Sequence, residues 1–198
     1  MFFNFGGEDM SGIVVFVDNG FLKVVNSHFK NTENKAFQKD IFRICKRIAD
    51  KEKCDLRHVY FYTAPPYLDD QSGRRDIELR RRYEKFVRVL GKNRKVTIRE
   101  GRCQRLKVDD QFVYTQKGVD TWLVSDLCLF CKDFPDVEKV VLIASDSDFV
   151  PVINRVKGEF EVILYTYFDS VRGSRFSTNN ELLNACSRWV KLNGGDFE

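Results

Sequence analysis

The sequence has little histidine and no second metal-binding cysteine pair. His28 and His58 are its only histidines among 198 residues. Cys128 and Cys131 form the one CxxC, whereas a structural zinc site would need two more ligands. The six cysteines lie scattered in apolar contexts, as expected of reduced thiols in a chain of this size. We therefore expect neither a zinc site nor disulfides.

Long apolar runs are also missing. No run approaches the roughly 18 residues of a membrane span. The first residues, MFFNFGGEDM, lack the basic and apolar regions of a secretory leader. We expect no membrane association. The sequence predicts a soluble cytoplasmic protein, with a nuclear location left open.

The charge is unevenly distributed. The net charge of +4 combines a basic segment at residues 74–107, with 14 Lys or Arg and 4 Asp or Glu (14 − 4 = +10), and a remainder of 19 against 25 (−6). Basic runs are commonly solvated helix surface, but a concentrated one also attracts polyanions by releasing their counterions. The sequence leaves both interpretations open.

Short apolar runs alternate with longer amphipathic segments, which predicts a doubly wound α/β fold. The runs do not alternate polar and apolar residues, as is typical of parallel strands buried on both faces; they lie at residues 13–17, 58–64, 140–144 and 161–168. Apolar residues at helical spacing predict crossover helices over residues 36–51 and 77–90. Shorter strands between residues 96 and 114 suggest a hairpin around residues 108–110. We expect a tail over residues 1–11 and one domain over residues 12–198.

Several aspartates fall where such a fold binds ligands. In an open α/β sheet, ligands lie beyond the carboxyl ends of the strands, where the strand order reverses. Asp18 ends the first strand, and Asp146 and Asp148 follow the strand that ends in VVLIA. Asp120 lies at the start of a helix, on the same face as its apolar residues. If the two strands are neighbours, these acids converge.

Each aspartate also has an ordinary structural explanation. Ser147 or Asp148 can cap a helix that begins at Phe149, which leaves Asp146 unexplained. Asp18 can be a turn residue, and Asp120 can complement a helix dipole. Taken together at one edge of the sheet, however, several carboxylates repel each other unless a cation compensates them.

A divalent cation would relieve that repulsion. Mg²⁺ and Mn²⁺ prefer oxygen ligands, retain several waters, and bind one or two carboxylates together with substrate phosphate. Such an ion activates a bound water and stabilises phosphate oxygens, which is the chemistry of phosphodiester hydrolysis. The sequence therefore favours a Mg²⁺ or Mn²⁺ site beside a basic surface.

Three segments carry a resemblance to a known family: FVDNGFL, QKGVDTWLVSDL and LIASDSDFVPVINRVK. Together they resemble the NYN domain family of PIN-like ribonucleases, in particular its LabA-like branch, over residues 14–192. The resemblance implies a PIN-like, Rossmann-like three-layer sandwich and metal-dependent cleavage of RNA. It places Asp18, Asp120, Asp146 and Asp148 at the family's acidic positions. Two departures are Gly20 with Phe21, where the family often has a polar residue, and Ser145, where it usually has glycine.

These considerations define a set of expected roles. Asp18 and Asp146 bind the metal directly, while Asp120 and Asp148 hold it through water or activate the attacking water. Asp126 is a structural or second-layer partner. The scissile phosphate contacts Asn19, Ser145 and Ser147. Single-stranded RNA follows a basic path formed by Arg74, Arg75, Arg80, Arg81, Arg82, Lys117, Arg172 and Arg175, with Tyr67 or Phe176 as candidates for stacking on bases.

Other functions fit parts of the pattern. A non-catalytic RNA-binding or regulatory module would retain the acidic pocket for structure and bind RNA in a salt-sensitive way without cutting it. The sequence Asp146-Ser147-Asp148 is also the DxD of many glycosyltransferases, although that chemistry explains neither Asp18 nor the basic segment. A phosphatase with an aspartate nucleophile would need an acid where Gly20 stands. Phe2, Phe3 and Phe5 are candidates for an interface, which leaves a homodimer open.

Overall fold

The computed structural model describes residues 11–33, 40–169, 176 and 179–197. The strands are β1 Gly12–Asp18, β2 Asp55–Thr63, β3 Val96–Glu100, β4 Arg102–Val108, β5 Gln111–Lys117, β6 Val137–Ile143, β7 Glu161–Thr166 and β8 Arg188–Lys191. The helices are α1 Asn19–Glu33, α2 Ile41–Lys51, α3 Arg74–Leu90, α4 Val119–Leu129, α5 Val150–Val156 and α6 Asn180–Ala185. Short 3₁₀ turns cover Phe130–Lys132, Ser147–Phe149 and Gly194–Phe197.

Six strands form one parallel sheet in the order β3-β2-β1-β6-β7-β8. Two hydrophobic cores cover its faces. One core packs α1 and α2 against the sheet, and the other packs α4, α5 and α6. The predicted doubly wound sandwich is therefore confirmed. Because the order runs outward from β1 in one direction and from β6 in the other, the switch point lies between β1 and β6. These two strands are paired, which is the condition for the acids to converge.

The central strands form because both of their faces are apolar. In β1, the side chains of Ile13, Val15 and Val17 enter one core, while those of Val14 and Phe16 enter the other. A strand of this kind has no solvent-facing side, so its sequence is continuously apolar instead of alternating. Its first polar side chain, Asp18, comes where the strand leaves the core.

The predicted boundaries are close to the observed ones, although β2 and β6 each begin three residues earlier than predicted and two helices differ at their starts. Helix α3 begins at Arg74 instead of residue 77, because the carboxylate of Asp76 accepts the N–H of Gly73 at 3.2 Å and starts the helix before its apolar periodicity begins. Helix α2 begins at Ile41, where Asp40 caps it through the N–H of Arg43. The predicted start of that helix at residue 36 lies outside the described residues.

The predicted hairpin is present as the antiparallel pair β4 and β5. Its turn consists of Asp109 and Asp110, which have positive φ angles of 47° and 60°. Two consecutive left-handed residues give a two-residue turn whose twist matches that of the strands. The hairpin is separate from the main sheet and is attached at the carboxyl end of β3.

Within the described ranges, no helix has the length and apolar character needed to cross a lipid bilayer.

Candidate active site

An open cleft of about 560 Å³ lies beyond the carboxyl ends of β1 and β6. Three of the predicted acidic residues line it, and they come from the end of β1, the first turn of α4 and the loop after β6. The lining residues are Asp18, Gly20, Phe21, Val24, Gln116, Val119, Asp120, Ser145, Asp146, Ser147, Tyr167, Phe176 and Asn179. The topology thus brings together acids that are up to 128 positions apart in the sequence (146 − 18).

Asp18 joins β1 to α1 and is the most buried of these acids. Its Oδ1 accepts the backbone N–H groups of Gly20 at 2.8 Å and Phe21 at 3.4 Å, so it caps the first turn of α1. The pKa of Asp18 is raised to about 6, mainly by burial and in smaller part by the nearby charges of Asp120 and Asp146. The two N–H donors lower the pKa, but they do not outweigh the burial.

Asp146 follows β6 and starts the turn that leads into α5. Its Oδ1 accepts the backbone N–H of Asp148 at 2.9 Å. The expectation that Ser147 or Asp148 provides the cap was therefore wrong, because the 3₁₀ turn at Ser147–Phe149 precedes α5 and moves the capping position back to Asp146. The helix proper begins at Val150, with Pro151 in its first turn as predicted.

Asp120 lies in the first turn of α4. Gly118 precedes the helix with a φ of +80°, a left-handed conformation that suits glycine, and it directs the chain from the hairpin into α4. Burial raises the pKa of Asp120, and the charges of Asp146 and Asp148 raise it too. Asp148 thus lies close enough to interact with Asp120, although it is exposed and does not line the cleft.

Two of the three residues predicted to contact phosphate line the cleft, namely Ser145 and Ser147. Asn19 does not. It is 3% exposed, and its amide donates to Thr63 Oγ1 on β2 at 2.8 Å. We therefore correct the role expected for Asn19: its side chain ties the start of α1 to the neighbouring strand.

Asp126 has the structural role that was one of its two predicted roles. Arg99 on β3 donates to both of its carboxylate oxygens at 2.8 Å, and the Tyr62 hydroxyl donates to Oδ2 at 3.1 Å. Asp126 does not line the cleft. These bonds fasten α4 to β2 and β3, and they thereby fix the helix whose first turn carries Asp120.

The predicted basic path divides into free and paired residues. Arg80 pairs with Glu84, while Arg81 and Arg82 both pair with Glu78. Arg74, Arg75 and Lys117 are exposed and have no ion-pair partner in the described part of the chain. Tyr83 on α3 donates its hydroxyl to Glu100 at the end of β3 at 2.5 Å, so Arg81 and Arg82 lie near the carboxyl edge of the sheet. Arg74 and Arg75 lie about 10 Å away from them, towards the start of the helix. Arg172 and Arg175 lie outside the described residues.

The cleft has an aromatic and amide wall, formed by Tyr167, Phe176, Gln116 and Asn179, of which the sequence interpretation named only Phe176. Tyr167 and Phe176 pack edge to face at 4.9 Å, and the Tyr167 hydroxyl lies 3.0 Å from His28 Nε2. Phe176 is only 5% exposed, so the idea that its ring stacks on a base was wrong. Tyr167 follows β7 directly, and the strand-end rule that identified Asp18 would also have found it.

No three His, Cys, Asp or Glu side chains in the described ranges are grouped closely enough to hold a metal ion by themselves. The donor set nevertheless suits an ion that retains water. Asp18 and Asp146 each use Oδ1 for a backbone N–H, and their Oδ2 atoms have no hydrogen-bond partner among the described residues. Two carboxylate oxygens and several waters match the coordination of Mg²⁺ or Mn²⁺.

No curated protein matches this chain. A protein of unknown function from Vibrio parahaemolyticus has a similar structure, with a TM-score of 0.53 and 18% sequence identity over 97% of this chain and 98% of that one. At this identity the likeness concerns the fold alone. The NYN domain profile matches residues 12–193, nearly all of the chain, while the LabA-like branch stays a prediction. The chain therefore belongs to the NYN domain family, a family of PIN-like nucleases.

Proposed function

We propose that this protein is a metal-dependent endoribonuclease that hydrolyses phosphodiester bonds of single-stranded RNA. The observation that supports this most strongly is the meeting of Asp18, Asp120 and Asp146 in one cleft at the switch point of the sheet. Carboxylates that repel each other in one cleft are costly, and the neighbouring acids, together with burial, raise the pKa values of Asp18 and Asp120. A binding site for a cation and a phosphate accounts for keeping them together.

In this proposal each acid has a separate task. Asp18 and Asp146 present their free Oδ2 atoms to Mg²⁺ or Mn²⁺, while their Oδ1 atoms stay bonded to backbone N–H groups that fix the carboxylate orientation. Asp120 and Asp148 face the same region and accept protons of water molecules, including the attacking one. Ser145 and Ser147 donate to the scissile phosphate. When bound, the ion supplies charge stabilisation and lowers the pKa of a water molecule.

A non-catalytic RNA-binding module is the second candidate, and a specific observation favours it. Asp18 and Asp146 both cap turns, so each has a structural reason to be present without any metal. A glycosyltransferase, by contrast, gains no support from the family match. Cleavage and binding must therefore be measured separately.

The proposal is tested with a labelled single-stranded RNA and Mn²⁺ or Mg²⁺. We expect the parent protein to cut the RNA internally and EDTA to abolish the cutting. Asp146→Asn should lower the rate at least about 100-fold, because it removes a charged ligand while keeping an oxygen for the Asp148 N–H. Gel analysis of the fragments distinguishes internal cutting from trimming of the ends.

Asp70→Asn is the matched control, because Asp70 is an exposed acid in the loop after β2 and does not line the cleft. It should cut like the parent. If Asp146→Asn also cuts like the parent, the cleft is not the active site. If no variant cuts but all bind RNA, the non-catalytic module is the correct interpretation.

A further inference from the structure

The hairpin of β4 and β5 exposes aromatic side chains for which the fold gives no reason. Phe112 and Tyr114 are 55% and 54% exposed, and they lie on the same strand two residues apart. Their rings contribute nothing to the two cores of the sheet. Neighbouring exposed aromatic rings of this kind are typical of a binding surface.

These rings share one face of the hairpin with basic side chains and with the cleft. Directly opposite residues of an antiparallel pair lie on the same face, and here Tyr114 is opposite Arg105 and Phe112 is opposite Lys107. Gln116 continues the same face towards the base of the hairpin, and it lines the acidic cleft. Residues two apart in a strand are about 7 Å apart. The face thus forms a continuous path that leads away from the cleft.

Arg105 holds the aromatic groups in place. Its guanidinium lies 4.5 Å from the centroid of the Phe112 ring and 5.0 Å from that of Tyr67, and it pairs with Asp69 at 2.9 Å. The Tyr67 ring in turn lies 5.6 Å from the Tyr114 ring. Because each of the two exposed rings already has a contact partner, the rings are oriented before any ligand binds, which lowers the entropy cost of binding.

The base of the hairpin adds positive charge. Arg102 and Lys117 lie directly opposite each other, are both exposed, and belong to the hairpin face that also carries Val113. Like charges in such a pair destabilise it, and in the described ranges neither residue has an acidic partner. A polyanion that passes the hairpin base would neutralise both.

From these contacts we infer that the aromatic face of the hairpin is a stacking platform for single-stranded RNA, and that this platform leads the strand into the acidic cleft. The inference deepens the proposed function and rests on it for the identity of the ligand. Unpaired bases stack on aromatic rings, whereas the bases of a duplex are already stacked and cannot reach them. Lys107, which is exposed and lies on the same face as the rings, then contacts the backbone of the strand.

The platform is tested by fluorescence anisotropy with a short labelled single-stranded RNA of mixed sequence, in EDTA so that no cleavage occurs. Phe112→Ala and Tyr114→Ala should each weaken binding about tenfold, because each removes a stacking ring. Tyr114→Phe retains the ring and should bind like the parent. A duplex of the same sequence should bind more weakly, and the alanine variants should leave its affinity unchanged.

Val113→Ala is the matched control. Val113 lies between the two rings in sequence, is 43% exposed and belongs to the opposite face of the hairpin. It should change the affinity less than about twofold, and circular dichroism should show that all variants are folded.

The inference is overturned if Phe112→Ala and Tyr114→Ala bind RNA with the affinity of the parent. It is also overturned if the parent sediments as a dimer and these variants sediment as monomers, because the face is then a contact between two copies of the chain. Because binding is measured without metal, this test is independent of cleavage. If the rings are needed for RNA binding but the protein does not cut RNA with Mn²⁺, the platform inference holds and the proposed nuclease function fails.

Discussion

Asp18 combines two demands that oppose each other. As a cap it satisfies the first N–H groups of α1, which stabilises the fold. As a buried charge near Asp120 and Asp146 it destabilises the fold, as its raised pKa shows. Because the charge of Asp18 destabilises the fold, the presence of an aspartate here is best explained by a role in the cleft.

Asp18→Asn should therefore stabilise the protein at neutral pH in the absence of metal. The pKa of Asp18 is about 6 in the folded protein and 3.8 in a model peptide, so the folded state holds the proton more tightly. Stability then falls as the pH rises from about 4 to about 6, and the asparagine variant escapes this loss. We expect a gain of about 1 to 2 kcal/mol at pH 7 and none below pH 4, measured by urea unfolding in EDTA.

Asp126→Asn is the control with the opposite sign. It also removes one buried negative charge, but from a carboxylate that Arg99 and Tyr62 bind directly. The variant should lose about 2 to 3 kcal/mol at pH 7, because the guanidinium is left with an incomplete partner. Equal effects of the two substitutions would show that the environment of Asp18 is not what destabilises its charge.

At the scale of single residues, the sequence allowed prediction of the cleft acids but not of their hydrogen bonds. Asp18 and Asp146 could be predicted because each ends a strand that is recognisable by its apolar run. The partners of Asn19 and Asp126 could not be predicted, because Thr63 and Arg99 come from other strands and no local pattern links them. Their pairing is fixed only by the sheet order.

Among the elements, the junction at Gly101 decides where the hairpin and α4 lie. Its N–H donates to the carbonyl of Thr63 at the end of β2 at 2.8 Å. A Cβ atom at this position would lie 2.5 Å from the carbonyl oxygen of Lys117 and 2.7 Å from Val119 Cγ2. Glycine is therefore needed here for the close approach of three chain segments.

Gly101→Ala should push the hairpin and the start of α4 away from β2. We expect a loss of about 1 to 3 kcal/mol in the free energy of unfolding, as for other overpacked sites. Because Asp120 is next to Val119, RNA cleavage should fall by more than the loss of folded protein explains. Gly158→Ala is the control, since a Cβ there meets no atom within 4 Å. If Gly101→Ala is as stable and active as that control, the close approach is not required.

At this scale the hairpin was predicted and the last strand was not. Turn residues between two β-rich segments identify β4 and β5. Strand β8, Arg188–Lys191, is short and mostly exposed at the edge of the sheet, so its sequence RWVK has no apolar run to mark it. It forms because β7 offers an open edge, with Trp189 opposite Leu164, and a tertiary cause of this kind has no local signal.

Over the whole molecule, the charge asymmetry of the sequence corresponds to a division in space. The acids of the cleft lie at the switch point, whereas the basic segment forms α3, β3 and β4 on one side of it. Many of its arginines are paired with acids, so the excess of ten positive charges overstates what a polyanion meets. Arg74 and Arg75, at the start of α3, are exposed and have no acidic partner within the described ranges.

Replacing both Arg74 and Arg75 by alanine should weaken RNA binding equally for all sequences. The slope of log Kd against log salt concentration should decrease by about 0.7 for each lost phosphate contact. Arg81→Ala with Arg82→Ala removes the same charge from residues that already pair with Glu78, so the decrease should be smaller. If the second pair of substitutions has the larger effect, the RNA follows the middle of α3 instead of its start.

The strand order also has a consequence for synthesis of the protein. The first half of the chain contains β1 and Asp18, but the neighbour that brings Asp146 beside it is β6, which the ribosome makes long after β2 and β3. Until then the edge of β1 is unpaired and the cleft lacks one wall. A nascent or truncated chain that ends before β6 therefore lacks Asp146 and carries no complete set of acids.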